Sequence, residues 1–125
     1  MGCAASRSDD VAASQADAAE AAILKCAPPA WFEGGEVQLS PHAESQFDEG
    51  TGYSSIYYTL QYKGDVKWKS PFASSTSNAG GARGDDLNVK LSHNNRVLIM
   101  TTGTWSGRER TDLRTSVFDV AELVG

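Results

Sequence analysis

Between residues 54 and 72, apolar and polar side chains exchange places at almost every step. In "SSIYYTLQY", Ile56, Tyr58, Leu60 and Tyr62 take one parity and Tyr57, Thr59 and Gln61 the other, and in "VKWKSPF", Val66, Trp68 and Phe72 alternate with Lys67 and Lys69. A period of two commits both runs to extended backbone with one face buried, because successive side chains on a strand point to opposite faces. Two such runs in succession predict a hairpin, and parity sets its loop. A two-residue loop at Gly64-Asp65 puts Trp68 opposite Gln61, whereas a three-residue loop from Lys63 to Asp65 puts Val66 beside Tyr62 and Trp68 beside Leu60. The three-residue loop is therefore the expectation.

The same texture runs from Trp31 to the C-terminus. "EVQLS" reads as a first strand, and "LNVKLS" and "RVLIM" pair about a two-residue turn at Asn94-Asn95, which sets Leu91 opposite Leu98 and Val89 opposite Met100. "ASSTSNAGGARGDD" reads as a flexible connection, and the Arg-Gly-Asp at Arg83 to Asp85 within it is assigned no role. "TGTWSGRERTD" reads as a glycine-containing loop. The last run, residues 113–124, fits a strand, a strand closing into a helical turn, or a short helix. The expected fold is all-β, a single antiparallel β-sandwich over residues 31–125, behind a flexible, partly helical tether over residues 1–30.

That tether is Ala-rich. Over residues 8–27, Ser8 is placed to cap a helix, Asp9 and Asp10 favour its first turn, and Ala27-Pro28-Pro29 ends it. Ahead of it stands "MGCAASR". Gly2 followed four residues later by Ser6 is the pattern read for N-myristoylation, Arg7 extends the motif, and Cys3 offers a thiol for a second acyl chain. A lone myristoyl group binds membranes at only about 10⁴ M⁻¹, so stable anchoring takes a second signal. Residues 1–30 set Arg7 and Lys25 against Asp9, Asp10, Asp17 and Glu20, a net charge of −2 that anionic lipid repels, which makes Cys3 the expected second signal.

Composition excludes several classes. With 16 acidic and 11 basic residues the net charge is −5, and no basic stripe points to nucleic acid. No run of 18 apolar residues crosses a bilayer. The two cysteines, Cys3 and Cys26, fit neither a zinc site nor a disulfide framework and read as reduced thiols, and Cys26 with His42 or His93 lacks a third orienting group for nucleophilic chemistry. No phosphate-binding glycine loop or catalytic triad pattern is present, so the chain reads as a non-enzyme without cofactor or metal.

In the order of its features, "GYSSIYYTLQY", then "VKWKS", then "RVLIMTTGTWSGRERTDLRTSVFDVAEL", the segment 35–124 resembles the C-two membrane-binding domain. The resemblance implies a sandwich with calcium-binding loops, but Ser54, Ser55, Thr102 and Thr104 stand where carboxylates would and Asp112 alone remains. Calcium needs about 6–8 oxygen ligands, several of them carboxylates, so a calcium-independent member is expected. Asp48, Glu49, Asp85 and Asp86 read as solvated loop charges. The resemblance also implies that Lys63, Lys67 and Lys69 meet anionic lipid headgroups, worth about 1 kcal/mol each near such a surface, although lysines on the solvent side of an edge strand also guard against aggregation. The leader resembles those of small myristoylated and palmitoylated membrane proteins of flagellate protozoa. The function expected from these readings is a non-enzymatic peripheral protein on the cytoplasmic face of the plasma, flagellar or ciliary membrane, binding lipid or an unidentified protein partner. The alternative is a membrane-associated scaffold that self-associates, through a patch such as Tyr57 with Trp105, or regulates a partner enzyme.

Overall fold

Successive hairpins generate almost the whole chain. The computed structural model describes residues 7–11 and 13–125, with side chains from residue 16 onward. After β1 (Arg7–Val11) and α1 (Ala13–Leu24), a 3-10 turn at Gly34–Glu36 leads into β2 (Val37–Asp48) and β3 (Thr51–Tyr62). There follow β4 (Asp65–Lys69), β5 (Ala73–Asn78), β6 (Gly81–Ser92), β7 (Val97–Ser106), β8 (Glu109–Asp119) and α2 (Val120–Val124). All described pairings are antiparallel, in the order β1-β8-β7-β6-β5-β3-β2, with β4 paired to β3 beside β5. The all-β class is as expected, and residues 113–124 take the second of their three readings, a strand closing into a helical turn.

The sheet is single-layered at one end and double at the other. Near the turns at residues 49–50, 79–80 and 107–108, strands β2, β3, β5, β6, β7 and β8 lie side by side, and one row of paired residues crosses all six: Ser45, Ser54, Ser75, Gly84, Trp105, Arg110. Toward the other end the sheet divides, because β5 stops at Ala73 and β4, not β5, continues along β3. The branches then stack. Val37, Leu60 and Tyr62 from β2 and β3 meet Val89, Leu98 and Phe118 from β6, β7 and β8, closed by Val120 and Val124 of α2. Alternation along β6 from Arg83, the partner of Thr76, places Leu87 and Val89 on the sheet face that carries Tyr53 and Tyr57, whereas the other branch contributes Leu60 from the opposite face. The right-handed twist of strands turns the two branches in opposite senses, so opposite faces of one sheet form a shared core.

Several local expectations change. The β3–β4 loop has two residues, Lys63 (φ 51°) and Gly64 (φ 88°), both in the left-handed conformation that a tight hairpin favours. Trp68 still pairs with Leu60, because Val66 pairs with Gln61 and a bulge takes up Lys67. Leu91 pairs with Leu98 and Val89 with Met100 as expected, but across a four-residue loop, residues 93–96, in which His93, Asn94 and Asn95 all have positive φ. The segments read as flexible loops form strands. "ASSTSNAGGARGDD" makes β5 and the start of β6, and "TGTWSGRERTD" the β7–β8 hairpin. Ser- and Thr-rich backbone extends there because neighbouring strands on both sides satisfy its hydrogen bonds.

The expected tether is partly docked. Residues 7–11 form β1 against β8 rather than the start of a helix, since the free edge of β8 offers them a ladder. Helix α1 packs Ile23, 2% exposed, between Val97 and Val117, with Ala16 and Ala19 on the same side. One large aliphatic residue in a run of alanines fastens the helix to the sheet.

Candidate binding surface

An aromatic side-chain cluster lies on the outside of β2 and β3. His42 and Tyr57 are direct cross-strand partners, and their rings stack at 4.7 Å with 14° between planes. Phe72 leans over the same Tyr57 ring at 4.6 Å and 45° while remaining 66% exposed. Lys69, paired with Thr59 across the β3–β4 ladder, brings Nζ to 5.9 Å from the Tyr57 ring centre, within cation–π range. His42 Nε2 lies 2.9 Å from the Thr59 hydroxyl, which fixes the imidazole in plane.

Phe72 is placed by the corner between β4 and β5. Ser70 is buried there, its N–H donating to the Tyr58 carbonyl at 2.9 Å and its hydroxyl accepting from the Tyr58 N–H at 2.8 Å. The same hydroxyl donates to the Pro71 carbonyl at 2.9 Å. Proline keeps the preceding residue out of the helical region. The chain therefore turns at Pro71 and carries Phe72 across Tyr57. An aromatic side chain two-thirds exposed beside a cation, held by a buried hydrogen-bonded corner, presents an apolar tip with a basic rim.

The three lysines of the sequence reading do not share one patch. Lys63 sits in the β3–β4 turn, with Nζ 3.9 Å from a Glu33 carboxylate oxygen and over the Tyr62 ring, on the face of β3 opposite to Tyr57. Lys67 lies in the bulge of β4, and Lys69, two residues on, reaches the Tyr57 ring that Phe72 also covers. Ser54 and Ser55 lie inside β3, and Thr102 and Thr104 inside β7, rather than in ligand loops. Among the described residues, no three His, Cys, Asp or Glu side chains are arranged to hold a metal ion. Asp85 accepts from the Ser74 N–H at 3.2 Å and Asp86 pairs with Arg110 at 3.3 Å, so both serve the sheet. Tyr57 and Trp105 lie on opposite faces and form no common patch. Gly2, Cys3 and Ser6 lie outside the described residues; Arg7 is described only as backbone, opposite Phe118.

A second concavity, of about 620 Å³, lies between the end of α1 and the left-handed loop, lined in part by Leu24, Pro28, Phe32, His93 and Asn94. His93 Nε2 is 2.8 Å from Glu20. Arg96 is fully engaged at its edge. Nε and Nη2 donate to the two Asp119 oxygens at 2.8 and 3.1 Å, and Nη1 donates to the Cys26 carbonyl at 2.9 Å. The hydrogen bond to Asp119 raises the Arg96 pKa above its already high ordinary value. Cys26 is disulfide-bonded, where the sequence reading expects a reduced thiol. Its position beside the Arg96 loop gives it a structural setting rather than a catalytic one.

No protein-family model, curated protein or solved structure matches the chain. Geometry alone must carry the function. The feature that sequence reasoning missed is the joining of His42 and Phe72 to Tyr57. The parity of "QLSPH" against "IYYT" would have paired His42 with Tyr57, but the reach of Phe72 depends on the Ser70 corner.

Proposed function

We propose that the chain is a non-enzymatic peripheral membrane protein, held by an acyl group on Gly2 and oriented by the surface around Phe72. The observation that carries this reading is the exposed Phe72 ring standing over Tyr57 beside Lys69, with Lys67 in the adjoining bulge. An aromatic tip with a basic rim suits the interface of an anionic leaflet, where the ring enters the headgroup boundary and each lysine adds about 1 kcal/mol. Arg7 pairs with Phe118, whose ring lies 5.8 Å from that of Trp68 in β4.

This arrangement offers a second signal that does not depend on Cys3.

The test is cosedimentation of the unacylated full chain with phosphatidylcholine vesicles, with and without phosphatidylserine. Binding should require phosphatidylserine and weaken with salt. Lys67→Ala with Lys69→Ala should reduce it roughly 30-fold, the equivalent of about 2 kcal/mol, and Phe72→Ala should reduce it further. Binding that ignores phosphatidylserine, or a double variant that binds like wild type, overturns the reading.

A further inference from the structure

We infer that the single-layered half of the sheet is a dimer interface, in which the face continuous with Leu60 packs on the same face of a second copy of the chain. Here the two faces of the sheet differ sharply in chemistry. By register, the Leu60 face presents Ala43, Ser45 and Phe47 on β2 and Gly52, Ser54 and Ile56 on β3. It continues through Ala73, Ser75 and Ser77 on β5, Ala82 and Gly84 on β6, and Trp105 on β7. Its charges on these strands are Asp86 and Arg110, and they neutralise each other at 3.3 Å. The Tyr57 face at the same level carries Glu44, Asp48, Arg83, Asp85 and Glu109. On β2 and the start of β6, small or apolar residues on one face alternate with polar or charged residues on the other, the pattern of a sheet with one face buried.

In the monomer much of that uncharged face lies open, although Ala73 at its inner edge is buried. Phe47 is 76% exposed, and Leu113, whose methyl group lies over Gly103, is 59% exposed. The packing of α1 lies toward the other end of the strands, against Val97 and Val117. Glycine, alanine and serine along the middle strands let a second sheet approach to the usual spacing of about 10 Å.

A second copy is the occupant that the charge distribution favours. The chain carries a net charge of −5, so two copies repel generally, and at this level of the Tyr57 face four carboxylates stand against Arg83, with Arg114 and Lys69 further along the strands. The Leu60 face is the place where neither copy brings net charge. Size is adequate for a weak pair. Six strands about 4.8 Å apart and five residues deep at about 3.3 Å give roughly 400 Å² of sheet plane per copy. Side-chain relief raises the accessible area toward the lower end of specific interfaces, about 1,200 Å² in total. A two-fold pairing of identical faces closes on itself and stops at the dimer.

This inference does not rest on the membrane reading, and its test needs no lipid. Sedimentation velocity of the unacylated full chain over a range of concentrations should show a reversible monomer–dimer equilibrium. Ser54→Lys, in the middle of the uncharged face, should raise the dissociation constant at least about tenfold by opposing like charges across the two-fold axis. Ser55→Lys, one residue along on the opposite face and next to Glu44, should leave it unchanged. Circular dichroism establishes that both variants are folded, and Ser45→Lys, in the same row on the outer strand β2, should repeat the Ser54→Lys result. Wild type that stays monomeric at every soluble concentration overturns the proposal, as does Ser55→Lys dissociating the dimer as fully as Ser54→Lys.

Discussion

Replacing Ile23 by alanine tests whether the alanine-rich helix belongs to the fold. Ile23 is 2% exposed and sits between Val97 and Val117, both fully buried. The substitution removes three buried carbons, about 2.4 kcal/mol at roughly 0.8 kcal/mol each. Alanine returns about 0.4 kcal/mol through its higher helix propensity. Because α1 is fastened at one point it can settle partway into the vacated space, so the cavity contribution is small, and the net loss should be about 2–3 kcal/mol, within the range for such truncations. Leu24, next along the helix and 39% exposed, is the control, and its alanine variant should cost less than about 1 kcal/mol. Urea denaturation followed by tryptophan fluorescence reads both, and the Ile23→Ala midpoint should fall with an unchanged slope, accompanied by a drop of roughly 10 °C in Tm. A loss below about 0.5 kcal/mol for Ile23→Ala would show that the helix is a detachable tether and that the β domain is complete without it. The same geometry implies that a fragment beginning at residue 31 exposes Val97 and Val117 and is destabilised.

Two further substitutions probe the loops. Arg96→Met leaves Asp119 partly buried without its bidentate partner, and should cost about 3–5 kcal/mol in the same denaturation assay; adding Asp119→Asn should recover part of that loss. Because the Arg96 pKa is raised, the ion pair's contribution is fully present below the unfolded-state pKa and is lost only as pH rises through the still higher folded-state value, so the penalty should not vary across neutral pH. Lys63→Asn places a residue tolerant of positive φ in the β3–β4 turn and should stabilise by about 0.5–1 kcal/mol; a loss would mean that the contact of Lys63 with Glu33 and Tyr62 outweighs the strain.

The strands with alternating apolar residues were legible because their periodicity records burial. Leu60 opposite Trp68 and Leu91 opposite Leu98 follow from parity whatever the loop length, since a bulge at Lys67 or a longer loop at 93–96 restores the same faces. β5 and the early part of β6 were not legible. Apart from Ala73, which is buried, their side chains are half-buried or exposed and belong to neither apolar cluster, so the sequence there encodes extension through neighbouring ladders rather than through a core. The helix was read correctly in kind, but its docking depends on a single residue, Ile23, which no periodicity can announce. β1 depends on a partner more than a hundred residues away. The Tyr57 cluster was half visible. Tyr57 and Lys69 could be assigned to strands, whereas Phe72 joins them only because Ser70 is buried and bonded to Tyr58.

The pairing of β1 with β8 also sets a timetable. β1 is the first strand to be synthesised and β8 the last, with Val11 opposite Thr115, 104 residues later in the chain. At about 5–20 residues per second, translation holds the N-terminal segment without its partner for roughly 5–20 s. The acylation proposed for Gly2 would fall in that interval. Once β8 emerges, the same segment becomes the edge of a finished sheet. Residues 7–11 thus join the fold only at its last step.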